Sequence, residues 1–328
     1  MTTRILYFTP DPDDACSFYR GVGPLVRLNQ CGIAQLPDRI SWSTLHGGDI
    51  GFMQRPFHTK HLNIADLILD QMPLWVDYDD DFFNVPPDNP SYITYVKPQT
   101  RETISEIITK ASLVTVPTEH LKGIYAHLND NIQVVPNAYN DYLFPVEFPT
   151  EPRSKMVLWR GSDAHRLDLL THADAIARVA KDYPNWKFVF CGAVPWQLGS
   201  KIDVTYIPGQ EIFRYMKFIR DSACAAVQIV PLADNLFNHS KSNIAWIEAS
   251  SAGSVCVVPD WAEWQQPGTL NYGPEAHTAN FEEFLRYALV SPDECTALSR
   301  RSWDHICSHL LLSSVNHQRQ ELVGQLLS

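Results

Sequence analysis

The sequence predicts an α/β protein built from two Rossmann-like units in tandem, each a parallel sheet covered by helices on both faces. Three observations carry this. Short apolar runs of strand length alternate with amphipathic segments of helical period along most of the chain. The alternation pauses once, over "AYNDYLFPVEFPTEPRSK" (138–155), where Pro145, Pro149 and Pro152 break any periodicity, and then restarts. The length, 328 residues, suits two domains of ordinary size. The expected division is a first unit over 1–145, a linker over 146–155 and a second unit with terminal helices over 156–328.

In the first unit "ILYFT" (5–9) reads as a strand and "PLVRLNQCG" (24–32) as a helix stopped at Gly32. "DIGFMQ" (49–54) is followed by the helical "HLNIADLILDQM" (61–72) and the strand "PLWVDY" (73–78). A helix near 98–111 leads to "SLVTVPT" (112–118), the helix "EHLKGIYAHL" (119–128) and "IQVVPN" (132–137). The second unit opens with "MVLWRG" (156–161) and a helix over 164–182. "WKFVFCG" (186–192), "DVTYIPG" (203–209), the helix "EIFRYMKFIRDS" (211–222) and "CAAVQIVPL" (224–232) come next. A helix over about 240–252, closed by Ala252-Gly253, and the strand "SVCVVPD" (254–260) complete the series. Ligands of such sheets bind beyond the carboxyl ends of the strands, so two units can grip one between them.

Composition narrows the function. Hydrophobic residues make up 45% and charged residues 19%, enough for large cores. The formal net charge is -11, from 37 acidic and 26 basic residues, which opposes non-specific attraction to nucleic acid or anionic lipid. No apolar run approaches the ~20 residues of a membrane span, and the opening residues lack the apolar stretch of a signal peptide. Seven scattered cysteines without a CxxC pair, with Cys191, Cys224 and Cys256 in apolar runs, read as reduced, buried thiols. A cytoplasmic location without integral membrane association is the expectation. Phosphate-loop, dinucleotide, zinc-protease and serine-hydrolase motifs are absent.

The chemistry concentrates in "HSKSNIAWIEASSAGSVCVVP" (239–259). On one continuous helix, residues seven apart return to within about 20° of the same face, about 10 Å apart along the axis. Lys241 in the first turn would favour a phosphate there, and Glu248 could accept hydrogen bonds from a ribose diol. Equally, Lys241 could snorkel and Glu248 sit at the edge of the core. Arg160 ends the strand "MVLWRG", and Gly161 and Ser162 lead into a helix carrying Asp163. Such a junction suits an anion, or is an ordinary turn with a surface arginine.

"WRGSDAHRLDLL", "FVFCG", "VPLADNLFNHSKSNIAWIEASSAGSVCVVP" and "VTVPTEHLKGIYAHLNDNIQVVPNAYN" together resemble the GT-B glycosyltransferases, in particular the retaining, family-4-like group. The resemblance covers most of the chain and is strongest over 112–260. It implies a nucleoside-diphosphate sugar, UDP- or GDP-linked, as co-substrate, a hydroxyl acceptor and retention of configuration. It places Glu248 on the donor ribose, as the second Glu of an E-x7-E motif. The first Glu of that motif is replaced by Ser240, and Lys241-Ser242 matches a subset of relatives with "KS" there. Arg160 and Lys241 would neutralise the departing diphosphate without a metal, beside Gly161 and the nucleobase-facing Gly192, Ala193 and Val194. The acceptor stays open among glycan, protein and modified nucleic acid, including a hydroxymethylated DNA base. Ser240 also leaves room for a degenerate nucleotide-sugar or glycan-binding module, and an epimerase on the same fold is a third possibility.

The first unit is less legible. "FTPDPDDACSFYRGVG" offers Ser17, Tyr19, Arg20 and Gly21 to the cleft, with Arg20 alternatively paired to the acidic residues before it. "VDYDDDFFNVPP" places Asp77, Asp79, Asp80 and Asp81 at the end of a strand, where one of them, Asp79 foremost, could orient or deprotonate an acceptor. His120 opens a helix on the interdomain side, as a catalytic group or a capping neighbour.

Overall fold

A computed structural model of the protein describes residues 2–9, 11–35, 40–273 and 277–328. The first sheet contains β1 (Thr3–Phe8), β2 (Cys31–Gln35), β3 (Ile50–Gln54), β4 (Leu74–Asp77), β5 (Leu113–Val116) and β6 (Ile132–Val134). All its pairs are parallel, in the order β2-β1-β3-β4-β5-β6. The second sheet contains β7 (Ser154–Gly161), β8 (Lys187–Gly192), β9 (Thr205–Pro208), β10 (Ala225–Ile229), β11 (Val255–Pro259) and β12 (Thr269–Tyr272). It is also parallel, in the order β12-β11-β10-β7-β8-β9.

Alternation along each strand builds a core on both faces. In β1, Leu6 and Phe8 point to one buried cluster, while Ile5 and Tyr7 point to another. In β7, Val157 and Trp159 are separated in the same way from Leu158. Each sheet reverses its strand order once, at β1/β3 and at β7/β10, and the loops leaving those strands face each other across the crevice.

Four sequence expectations are corrected. The stretch 24–32 is not one helix: a single turn, Val22–Leu25, ends there and β2 begins at Cys31. The sequence offers too few apolar positions at helical spacing, and pairing with β1 decides the outcome. The helix expected over about 240–252 is two pieces, Leu236–His239 and Ile244–Ser251, with Lys241 and Ser242 in the loop between them. Cys224 is half-buried, whereas Cys191 and Cys256 are buried. Finally, the helix Leu312–Leu326 packs on the first sheet, not the second. Leu312, Val315, Leu322 and Val323 share a cluster with Ile5, Tyr7 and Leu25, and Asn316 Nδ2 donates to the Pro24 carbonyl at 2.9 Å. Its apolar stripe covers the face that the helices of the first unit leave open.

The chain therefore crosses between the units twice, and the crossings are tied together. Tyr139 N donates to Leu310 O, and Leu312 N donates to Tyr139 O, both at 2.8 Å. The Pro-rich segment is held from the other side, where the Trp303 indole N–H donates to Val146 O at 3.0 Å.

Candidate functional site

The crevice between the sheets holds a cleft of about 660 Å³. Its walls come from the loops after β1 and β4, the carboxyl ends of β7, β8, β9 and β10, and the segment 241–248. At the end of β7 the chain continues through Arg160 and Gly161 into a short turn, capped by the Ser162 hydroxyl on Ala164 N, and then the helix Arg166–Asp182. Gly192, with φ +103°, lies against Gly161, where a Cβ would stand 2.2 Å from the Gly161 carbonyl oxygen. Only glycine permits both that backbone conformation and that approach.

Glu248 projects from the helix Ile244–Ser251 and is 1% exposed. Burying a carboxylate is costly unless it is paired, and here two partners meet it. Arg160 Nε donates to Oε2 at 2.7 Å, and the Tyr19 hydroxyl donates to Oε1 at 2.8 Å from across the crevice. Burial and the neighbouring Glu248 carboxylate push the Tyr19 phenol well above its ordinary range, so it stays a donor.

Lys241 reaches across the crevice to Asp80, with Nζ 2.8 Å from Oδ1, and lies 4.2 Å from the Phe237 ring centroid. Burial raises the Asp80 carboxyl above the usual carboxylate range, a rise that the Lys241 ammonium partly offsets and the Asp79 carboxylate adds to. Asn137 Nδ2 donates to the Ser242 hydroxyl at 2.8 Å, closing a third contact between the units. The spacing of seven residues thus brings Lys241 and Glu248 to one cleft, though from a loop and a helix rather than from one helical face.

Several expected site residues point elsewhere. Ser240 is fully buried, and its hydroxyl donates to the Phe237 carbonyl at 2.7 Å. Its small side chain fits the turn between the two short helices, so it does not line the cleft. Ser17 is fully buried against Thr9 and Gln54, with its backbone N–H on the Asp14 cap, and also stays out of the cleft. Asp77 is buried beneath the floor, gripped by Arg20 Nε and a second guanidinium nitrogen at 3.1 and 2.7 Å and by the Thr115 hydroxyl at 2.6 Å. Arg20 lines the cleft, yet its fork is occupied by Asp77 rather than by the acidic residues before it. Asp81 turns away and accepts from the backbone N–H groups of Phe83 and Asn84. His120 lies outside the cleft lining, its ring 6.0 Å from that of His239 at the seam between the units.

Asp79 does line the cleft, with Arg55 Nε 3.8 Å away, and Arg55 also pairs with Asp14. Sequence reasoning missed Arg55, although it directly follows β3 at its carboxyl end, where site residues gather. It also missed His165 and Asp168, three residues apart at the start of a helix. His165 Nδ1 lies 2.8 Å from Asp168 Oδ2, and His165 lines the cleft. Among the described residues no group of three or more His, Cys, Asp or Glu is arranged to hold a metal ion, and no helix is long and apolar enough to cross a membrane.

Solved structures with a similar fold are numerous. α,α-Trehalose 6-phosphate synthase from Burkholderia multivorans aligns with a TM-score of 0.66 at 11% identity, over 99% of this chain and 97% of that one. The E. coli trehalose-6-phosphate structure bound with UDP-2-fluoro glucose gives 0.64 at 12% identity, over 99% of each chain. The chain has the GT-B fold. TarM from S. aureus, in complex with fondaparinux, α-GlcNAc-glycerol and UDP, shares it at a TM-score of 0.61 and 13% identity, over 84% of this chain and 55% of that one. No protein-family model and no curated protein sequence matches the chain. Arg160, Lys241 and Glu248 all line this cleft from the side of the second sheet.

Proposed function

We propose that the protein is a glycosyltransferase that moves a sugar from a nucleoside-diphosphate sugar to a hydroxyl acceptor, with retention and without a metal. One observation carries the reading. Arg160, Lys241 and Glu248, from three separate segments, converge on one interdomain cleft, and Glu248 is buried with its carboxylate already oriented. A cation pair with an oriented carboxylate suits a diphosphate followed by a ribose diol. The UDP in the S. aureus structure and the UDP-2-fluoro glucose in the E. coli structure support the same co-substrate class, UDP above all.

In this reading the ribose hydroxyls donate to Glu248, while Arg160 and Lys241 face the phosphates. The acceptor hydroxyl attacks the anomeric carbon on the face from which the diphosphate departs. The carbon–oxygen bond to phosphate breaks, and the hydroxyl proton ends on the departing phosphate oxygen. Arg160 and Lys241 act as fixed charges that stabilise the leaving group, not as proton carriers. Of the carboxylates after β4, Asp79 is the one that can orient the acceptor, since Asp77 and Asp81 are committed to structure and Asp80 to Lys241. The acceptor class, glycan, protein or modified nucleic acid, follows from neither half of the cleft. A hydroxymethylated base and a non-catalytic binding module draw no support from the residues that line it.

Thermal-shift titration with UDP, GDP, ADP, TDP and their common sugars, with and without magnesium, tests the reading. A ligand at about 100 times its Kd stabilises the fold by about 2.7 kcal/mol, a readable shift. The expected result is a nucleotide-selective shift that is independent of magnesium and lost in Lys241→Ala and Glu248→Ala. No shift with any nucleotide, or an unchanged shift in both variants, overturns it.

A further inference from the structure

His165 has no part in the reading above, yet the fold holds it with care. Its partner Asp168 is 4% exposed and accepts three hydrogen bonds or ion pairs. Asp168 Oδ1 takes the Ala233 backbone N–H at 2.9 Å and Asn238 Nδ2 at 2.6 Å, while Oδ2 takes His165 Nδ1 at 2.8 Å. The carboxylate therefore fixes which nitrogen of the imidazole carries a proton toward it, leaving Nε2 on the opposite edge. That edge lies along Gly161, where a Cβ would stand 3.2 Å from His165 Cδ2. Nε2 has no hydrogen-bond partner among the described residues, and the side chain is 25% exposed within the cleft lining. The same Asp168 anchors Ala233 and Asn238, the start of the loop that delivers Lys241.

We propose that nucleoside-diphosphate binding in this cleft is proton-linked through His165, whose Nε2 meets the phosphates as an imidazolium donor beside Arg160 and Lys241. The inference rests on the proposed function and deepens it. An imidazole next to a diphosphate gains a counter-charge that favours its protonated form, so the complex takes up a proton that Arg160 and Lys241, already charged, do not need. The charged and titratable groups of the same lining set the balance. Asp163 and Asp168 come from its own segment, Arg160 from β7, Glu211 from beyond β9, and Lys241 and Glu248 from the donor helix and its loop. Asp13, Asp14, Arg20, Asp79 and Asp80 face them from the first unit, Cys16 and Tyr19 beside them, and Cys191 and Tyr215 complete the set. Asp168 is a positioning residue here, acting on the ligand only through His165 and the loop.

Calorimetric titration of UDP into the full chain, with GDP as a second probe, tests this in paired buffers of different ionisation enthalpy from about pH 6 to pH 8. UDP's own ionisation is common to every protein, so the readout is the difference between wild type and His165→Gln. Near neutral pH, wild type is expected to take up about half a proton more per nucleotide than the variant, the most that a tenfold linkage to one group allows. The variant is expected to bind UDP about tenfold more weakly at pH 6 and nearly equally at pH 8. Uridine, which lacks phosphates, should bind both equally. His165→Lys should keep the affinity and lose the pH dependence, and Asp168→Asn should lower the proton uptake while uridine binding persists. Identical proton uptake in wild type and His165→Gln overturns this inference alone. If wild type binds neither UDP nor GDP, the proposed function falls and takes the inference with it.

Discussion

The two halves of the crevice use charge in opposite ways. On the first-unit side, Arg20 is consumed by Asp77 and Arg55 by Asp14 and Asp79, so the cations hold the loops after β1, β3 and β4 to one another. On the second-unit side, Arg160, His165 and Lys241 stand at the ends of strands or in loops, each with a face toward the cleft. Arg160 and Lys241 rest against single carboxylates, Glu248 and Asp80, that a phosphate or ribose can replace as partners. A buried arginine gripped twice by one aspartate builds a wall; a partly exposed cation with one carboxylate partner is available to a ligand. The difference separates cations committed to the architecture from cations that a ligand could reach.

That comparison can be broken at three points. The largest effect is expected at Asp77→Ala, which leaves Arg20 charged, buried and without its partner. A loss of about 3–5 kcal/mol in folding free energy, read by denaturant titration, should come with nucleotide affinity unchanged in the folded fraction. A specific loss of nucleotide affinity would mean that the first-unit pair also serves the ligand. Lys241→Ala reverses the pattern. Its ion pair is partly solvated, so stability should change by less than about 1 kcal/mol, while affinity for a nucleoside diphosphate falls about tenfold or more and that for the nucleoside does not. Equal losses for both ligands would make Lys241 a hinge residue rather than a phosphate contact.

The smallest effect sits at the seam. Burial pushes the Glu263 carboxyl up to about 7, with Glu119 adding repulsion from the first unit and the backbone N–H of Asn243 opposing it. A carboxyl whose folded pKa is raised binds more protons folded than unfolded, so stability falls as pH rises from about 4.5 to 7. Glu263→Gln should therefore stabilise the fold at pH 8 by about 1 kcal/mol, after solvent screening, and have little effect below about pH 4.5. Melting curves at the two pH values read it out.

Much of the fold was legible in advance because parallel strands buried on both faces write themselves as short apolar runs. Eleven of the expected elements need only their ends trimmed, as at 112–118 against Leu113–Val116. Arg160 and Glu248 were legible for a similar reason: a charge at the end of an apolar strand, or inside an apolar helix, violates the local pattern. The residues that misled follow the pattern too well. Ser240 and Ser17 are small polar residues beside functional ones, and nothing local says whether such a hydroxyl turns to a ligand or to a backbone carbonyl. The Asp77–Asp81 run was equally opaque, since folding gave four carboxylates within five residues four different partners.

By itself the sequence determined two parallel α/β sheets and singled out the cations and carboxylate that end in the cleft. Hydrophobic periodicity and turn residues act within a few positions of the chain, so a single sequence displays them directly. Only the tertiary structure decided that Lys241 approaches from a loop, that Asp77 is a structural anion and that Leu312–Leu326 returns to the first sheet. It also decided that Asp168 aims His165 at the cleft. Those outcomes depend on which partner reaches a charge or an apolar stripe first across tens or hundreds of residues, and burial makes each choice too costly to reverse.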